Sequence, residues 1–305
     1  MKLQQLRYLC EIADRGLNVS RAAAALHTSQ PGVSKQIRLL EEELGSILLE
    51  RRGTRITGLT AAGRAILAGA RRMLLEAENL RRQAREEAAS GGAHLTIATT
   101  HTHARYAVLP ALKRFMQAYP RVALELRQAS PQRIAQLVVA GEADIGIATG
   151  PVGQVPGLAR EPCYRLDHSV ITPRCHPLLN ERRLRLEMLA GFPLITYDSS
   201  FRLGRLVRER FAALGLEPHV VISAIDSDII KAYVEAGFGV AILPTIAYSP
   251  ARDKGLRAIA AGHLFSPSTC YVMTLEGRHL ESHLRDFIAL IRTAPSGRAA
   301  PAAAP

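Results

Sequence analysis

Residues 18–45 constrain this chain most tightly. Asn18 suits the N-cap of a short helix running to about Leu26, on which Ala22, Ala23 and Leu26 give a small, close-packing face. His27 and Thr28 make a tight turn. Ser29 then caps a second helix, Pro31 sits in its first turn where a missing N–H costs nothing, and Gly45 stops it. Val33, Ile37, Leu40 and Leu44 recur at 4-3-4 spacing as a core stripe, while Pro31, Ser34, Lys35 and Arg38 share the other face with Gln30 at the tip. Polar and cationic side chains at the start of a helix, backed by a buried stripe, are what entry into a DNA major groove requires. Taken alone, the segment also reads as an ordinary helical pair with a solvated charged face.

The residues beyond Gly45 favour the DNA-binding reading. Residues 48–51 and 55–57 can pair as a hairpin turning at Arg52-Gly53-Thr54, a wing whose tip carries Arg51, Arg52 and Arg55. With Ser20-Arg21-Ala22-Ala23, Leu26-His27-Thr28-Ser29-Gln30-Pro31, Val33-Ser34, Gln36-Ile37, Leu40-Glu41 and Leu44-Gly45, the segment resembles the DNA-binding domain of LysR-type transcriptional regulators. The candidate DNA-contacting residues are Ser29, Gln30, Pro31, Ser34, Lys35, Arg38, Arg51, Arg52 and Arg55.

From Thr60 to about Ala88 the pattern becomes one long helix. Ile66, Ala70, Met73, Ala77, Leu80 and Ala84 recur at heptad spacing, with Leu67 and Leu74 beside them and charged residues on the flanks. A single helix cannot bury such a seam, so it pairs with a second copy or with the rest of the chain; the second copy is expected, because it also doubles the length of DNA contacted. Residues 89–93 then read as a flexible joint.

Charge suits a polyanionic partner. The chain of 305 residues carries a formal +12, and the excess is spread. Residues 1–90 hold 15 basic and 10 acidic side chains (+5), and the remainder 24 and 17 (+7). Cys10, Cys163, Cys175 and Cys270 lie far apart without CxxC spacing, so they are expected as thiols of a reducing cytosol, with no disulfide frame and no zinc site. No signal-like h-region and no run of about 18 apolar residues occurs, which points to a cytoplasmic protein without membrane contact.

Beyond the joint, strand and helix patterns alternate: strands near 95–98, 122–126, 143–148, 169–172, 193–197, 220–222, 239–244 and 269–274, and helices over 105–118, 131–140, 203–214, 228–236 and 279–292. This predicts α/β layers with mostly parallel sheets, the last elements crossing back to the first lobe. In such sheets ligands bind beyond the carboxyl ends of strands. Thr99-Thr100-His101-Thr102-His103, leaving a strand for a helix, can cradle an anion with hydroxyls and free N–H groups. Equally, Thr102 can simply cap the helix. Thr149 sits at another strand end. His101 and His103 lack an adjacent acid or thiol, so a metal is not expected.

Thr99-Thr100-His101-Thr102, Ala104-Arg105-Tyr106, Tyr119-Pro120-Arg121-Val122, Pro162-Cys163-Tyr164, residues 1–8 and Asp226-Ser227-Asp228-Ile229-Ile230-Lys231-Ala232-Tyr233-Val234 are similar to the CysB-like branch of the LysR family, over residues 1 to about 292. The resemblance implies an α/β chain with an all-α-type winged helix-turn-helix N-terminal domain (1–59), a linker and dimerisation helix with its joint (60–92), and a two-lobed periplasmic-binding-protein-like (type 2) effector domain (93–293). Lobe 1 is expected over about 93–163 and 266–293, lobe 2 over 164–265, and a disordered tail over 294–305.

It further implies a regulator of sulfur-metabolism genes, acting on double-stranded DNA as a dimer or tetramer with RNA polymerase. The effector it implies is sulfate, thiosulfate, acetylated serine or a sulfonate, held by Thr100, Thr102 and Thr149. Two positions depart from the branch. His103 stands where glutamine is usual, and Ser199, Ser200 and Arg202 stand where a further threonine is usual. His103 and Arg202 complete the expected site and favour an anion, which Asp198 opposes. An unrelated sulfonate or carboxylate effector is the alternative. Catalysis is not expected: Ser199-Ser200 lacks a Gly-x-Ser-x-Gly elbow, and Gly237-Phe238-Gly239 is too short for a dinucleotide loop.

Overall fold

A computed structural model describes residues 1–53, 55–87, 94–150, 153 and 155–293. The expected joint, Thr54 of the wing turn and the tail lie outside these. The chain divides into two compact units, Met1–Ser90 with Gly277–His279, and Gly91–Glu276 with Leu280–Pro305.

In the first unit α1 (Leu3–Asp14), α2 (Val19–Ala25) and α3 (Gln30–Leu44) enclose a core of Leu6, Leu9, Ile12, Ala22, Val33, Ile37 and Leu40. The capping expected from sequence is present. Asn18 accepts from the Arg21 N–H, Ser29 from the Gly32 N–H, and Gly45 ends α3 in the left-handed region. β1 (Leu49–Arg52) and β2 (Arg55–Leu59) pair antiparallel as the wing. Glu41, buried on α3, ties the wing to the helix by accepting from the Leu48 and Leu49 N–H groups and from Arg51.

α4 (Ala61–Glu87) starts under Thr60, whose hydroxyl accepts from the Gly63 N–H. A Cβ at Gly63 would sit 2.0 Å from the Leu48 carbonyl, so only glycine lets the helix approach the wing this closely. Ile66, Leu67, Ala70 and Leu74 join the core, while Met73 and Leu80 are 45% and 60% exposed. The heptad seam therefore divides: its first part packs within the unit and the rest stays open. Farther along, buried Asn79 donates to the Gly277 carbonyl and accepts from the His279 N–H.

The second unit holds two five-stranded sheets. β3 (His94–Thr99) leads into α5 (His101–His103), a π-turn over Ala104–Val108 and α6 (Leu109–Ala118). Next come β4 (Ala123–Gln128), α7 (Pro131–Val139), β5 (Ile145–Thr149) and β6 (Leu158–Leu166). The chain then crosses at Asp167 into β7 (His168–Pro173), α8 (Leu186–Ala190), β8 (Leu194–Tyr197), α9 (Arg202–Ala212), β9 (Val220–Ala224), α10 (Ser227–Glu235), β10 (Val240–Pro244) and β11 (Leu256–Ala260). It returns through β12 (Ser268–Leu275) and α11 (Ser282–Arg292).

The first lobe has strand order β4-β3-β5-β12-β6 and the second β11-β7-β10-β8-β9. Each sheet is mixed, with two parallel and two antiparallel pairings, in place of the mostly parallel sheets expected. β6 runs on through 163, so the first crossover falls at 167. The helix expected from 105 begins at His101 instead, and His279 lies outside the last helix. Phe115 and Phe287 anchor α6 and α11 on one face of the first sheet, with Ile134 and Val138 of α7 on the other.

Candidate functional site

Two surfaces carry chemistry, one in each unit. On α3 the core stripe fixes which way the helix faces. Pro31, Ser34, Lys35 and Arg38 follow at i, i+3, i+4 and i+7 opposite Val33 and Ile37, with Gln30 at the tip, and all are exposed but the half-buried Ser34. Ser29 is spent as the cap, and Gln30 accepts from the Ser20 hydroxyl at 3.2 Å. Among the described residues no carboxylate pairs with Lys35, Arg38, Arg52 or Arg55, so these cations remain available to phosphates. Arg51 differs. Its guanidinium lies 3.0 Å from Glu41 and braces the wing.

In the second unit a cleft opens between the lobes. Thr100, Thr102, His103, Thr149 and Arg202 all line it, so the fold gathers every expected effector residue. Their surroundings differ. Thr100 is the N-cap of α5, and none of the hydrogen bonds among the described residues engages its hydroxyl. The first-turn N–H groups of α5 lack intrahelical partners and point toward the same end.

Thr102 is inside the helix, so it does not cap it. Its hydroxyl lies 2.7 Å from Tyr197 Oη and 2.6 Å from Ser227 Oγ, and those two lie 2.9 Å apart. Three hydroxyls thus close a buried ring across the lobes, and the single Thr102 proton is spent within it. Burial pushes the Tyr197 phenol up to about 12, so it stays protonated as the ring requires.

His103 is held from both sides, by the Tyr164 phenol at Nδ1 and the Thr149 hydroxyl at Nε2. Burial pulls its pKa down to about 4, so it enters the site as a neutral ring and adds no charge. Arg202 contributes its stem, which packs against Gly150 across the lobes, where φ is +86° and any Cβ would collide with it. Its guanidinium pairs with Glu209 at 3.0 Å. Phe201, Leu203, Pro131 and Pro244 form apolar wall.

Among the lining residues that the sequence does not mark are His168 and Ser268, which face each other at 3.2 Å where β7 and β12 begin. Burial also pulls His168 down to about 4. Tyr197, Ser227 and Tyr164 lay in segments already noted, but nothing local marks them as partners of Thr102 and His103. The acids that His101 lacked in sequence come from the other lobe. Its Nδ1 is 3.1 Å from Asp226 and its Nε2 3.8 Å from Asp228, while Arg105 and Lys231 also pair with Asp228. Burial alone would raise the Asp228 pKa, but hydrogen bonds from Tyr106 and Lys231 hold it below the usual carboxylate range. Both cations pair with Asp228, Lys231 from its own helix and Arg105 from the facing lobe, so the Arg105–Asp228 pair is an ionic latch between lobes.

Comparison with known proteins bears on both surfaces. A bacterial regulatory helix-turn-helix model of the lysR family matches residues 3–64, and the LysR substrate binding domain model matches residues 88–296. The HTH-type transcriptional regulator SsuR of Burkholderia cenocepacia is 46% identical over 283 residues, covering 93% of this chain and 92% of the relative. The HTH-type transcriptional regulator CysB of the same organism is 42% identical over 291 residues, covering 95% and 93%. The crystal structure of the cofactor-binding domain of the Cbl transcriptional regulator superposes with a TM-score of 0.63 at 37% identity, covering 66% of this chain and 89% of that one. A full-length OxyR variant from Pseudomonas aeruginosa gives 0.64 at 22% identity over 96% and 95%, a likeness of fold. Among the described residues no helix is long and apolar enough to cross a membrane.

Proposed function

The chain belongs to the LysR family of transcriptional regulators, and from that premise we propose that it controls sulfur-metabolism genes in answer to a small oxyanion or sulfur metabolite held between the lobes of its second unit. It is a DNA-binding regulator with an effector-binding domain, not an enzyme. The observation that carries the effector class is the polar end of the cleft. Thr100, Thr149 and the first-turn N–H groups of α5 offer neutral donors, and the facing wall is apolar. Neutral donors in a partly dry cleft stabilise a small, fully ionised oxyanion without a counter-charge. Polar donors at one end and an apolar wall opposite suit a compact ligand such as sulfate, thiosulfate, a short sulfonate or acetylated serine.

Similarity to the CysB-like branch supports the sulfur assignment. In this reading Gln30, Ser34 and Lys35 read base edges, and Arg38, Arg52 and Arg55 hold the backbone. The open face of α4 at Met73 and Leu80 pairs subunits, in dimers that join as tetramers. The protein works in the cytoplasm and meets RNA polymerase at its promoters.

Calorimetry of the full chain against sulfate, thiosulfate, sulfonates and acetylated serine tests the effector class, with carboxylates as the comparison. Promoter occupancy mapped in cells grown on different sulfur sources tests the target genes. Binding of carboxylates alone, or occupancy indifferent to sulfur source, overturns the proposal.

A further inference from the structure

Tyr164 on β6, His103 on α5 and Thr149 at the end of β5 form a line of polar groups that ends on the cleft. Tyr164 Oη lies 2.6 Å from His103 Nδ1, and His103 Nε2 lies 2.7 Å from Thr149 Oγ1. Tyr164 and His103 are 6% and 3% exposed, while Thr149 reaches the cleft. A neutral imidazole has one N–H and one bare nitrogen, so the line can be polarised in two directions. In one, the phenol donates to Nδ1, Nε2–H donates to Thr149, and the threonine proton is left for the cleft. In the other, Nδ1–H donates to the phenol oxygen, the threonine proton is spent on Nε2, and the cleft meets only lone pairs.

The surroundings of Tyr164 decide between them. In the second direction the phenol proton needs another acceptor, and the side chain in hydrogen-bond contact with the phenol is Cys270, whose Sγ also lies 3.9 Å from Nδ1. A thiol sulfur accepts weakly, so that direction strands a buried donor, the costlier arrangement. Burial keeps the ring neutral at pH 7, which preserves the choice. We propose that Tyr164 and His103 are positioning residues that turn the Thr149 proton into the cleft, so that the effector must place an unprotonated oxygen there. This rests on the oxyanion reading and sharpens it: the oxygen that meets Thr149 is a bare one, as every terminal oxygen of sulfate, thiosulfate and sulfonates is at neutral pH.

Nitrogen NMR of the full chain labelled with ¹⁵N-histidine tests the direction, with His103 assigned by its loss in His103→Gln. Nε2 protonated and Nδ1 bare is the expected result. Protonation at Nδ1 overturns the relay even if sulfate binds. Calorimetry with sulfate on wild type and Tyr164→Phe tests the consequence, because losing the phenol proton frees the ring to reverse. A roughly three- to tenfold loss of affinity is expected, the worth of one such hydrogen bond. Unchanged affinity with a changed tautomer overturns the link to the effector. A wild-type chain that binds none of the oxyanions overturns the oxyanion reading itself, whatever the tautomer.

Discussion

Replacing Thr102 by valine keeps the shape of the side chain and removes its hydroxyl from the interlobe ring. Two of the three hydrogen bonds disappear, those at 2.7 Å to Tyr197 and 2.6 Å to Ser227. The remaining Tyr197–Ser227 bond uses one proton and leaves the other buried hydroxyl proton without an acceptor. A buried donor stranded in this way costs about 1–3 kcal/mol and a lost bond about 0.5–1.5, giving roughly 2–3 kcal/mol after allowing for overlap. Because Thr102 belongs to one lobe and its partners to the other, this cost falls on the closed arrangement of the lobes. Both lobe cores are untouched. At about 1.4 kcal/mol per tenfold, closed-to-open populations shift roughly 30- to 150-fold.

Hydrogen exchange read by mass spectrometry measures this shift, as faster exchange of peptides around Thr102, Tyr197 and Ser227 and unchanged protection of the β3 and β10 cores. Ser227→Ala in the same background closes a double-mutant cycle, and the pair should cost about 1 kcal/mol less than the two single changes added together. Unchanged exchange in Thr102→Val, or strict additivity in the cycle, refutes the ring as a strut between lobes.

Three further outcomes are expected. His103 and His168 have folded pKa values of about 4 against about 6.5 in the unfolded chain, so the unfolded state binds more protons between those limits and stability falls as pH drops through the window. Each costs about 2 kcal/mol at pH 5 relative to pH 8, so thermal melts monitored by circular dichroism should lose roughly 8–16 °C, and a flat profile counts against two neutral buried rings. Lys35→Ala should blur base preference in a binding-site selection, whereas Arg52→Ala should weaken all sequences about equally and lower the salt slope by about 0.9; selective loss of certain bases in the Arg52 variant would reverse the assignment. Leu80→Glu places a charge on the open face of α4 and should shift sedimentation toward monomer at micromolar protein without moving the melting curve, and an unchanged assembly would place the dimer contact elsewhere.

The helix-turn-helix was legible because its determinants are local. A cap, a proline in the first turn, a left-handed glycine and a 4-3-4 stripe all lie within 28 consecutive residues. The strands that escaped reading, β6 and β11, are the edges of their sheets. Edge strands need neither a full apolar run nor every N–H, which is why β6 can hold Glu161 and Pro162. Strand spacing carries no direction, so the antiparallel pairings that β12 makes with β5 and β6 leave no mark in the sequence.

The onset of α5 is hidden in the sequence because Thr100-His101-Thr102-His103 has the composition of a turn, and Thr100 holds the N-cap position without a side-chain cap before a helix that continues through a π-turn. Strand ends did point to Thr100, Thr102 and Thr149. What no local pattern could give was their company. Tyr197 and Ser227 stand 95 and 125 positions from Thr102. The acids facing His101 are as distant. The seam of α4 read as one stripe because sequence spacing cannot tell a face used within the unit from one left open.

The return of β12 to the middle of the first sheet also sets an order of events during synthesis. Residues 1–74 hold the whole core of the winged-helix unit, so nothing downstream is needed to complete that core. One edge of β5 stays unpaired until Ser268–Leu275 has been made, and the Leu158–Leu166 strand has no partner in the sheet before then. At about 5–20 residues per second, roughly 10–40 s separate the two milestones. Over that interval a growing chain presents a finished operator reader joined to a receptor that cannot yet close. A gene truncated ahead of codon 268 would leave that form behind: a protein able to occupy promoters and deaf to its signal.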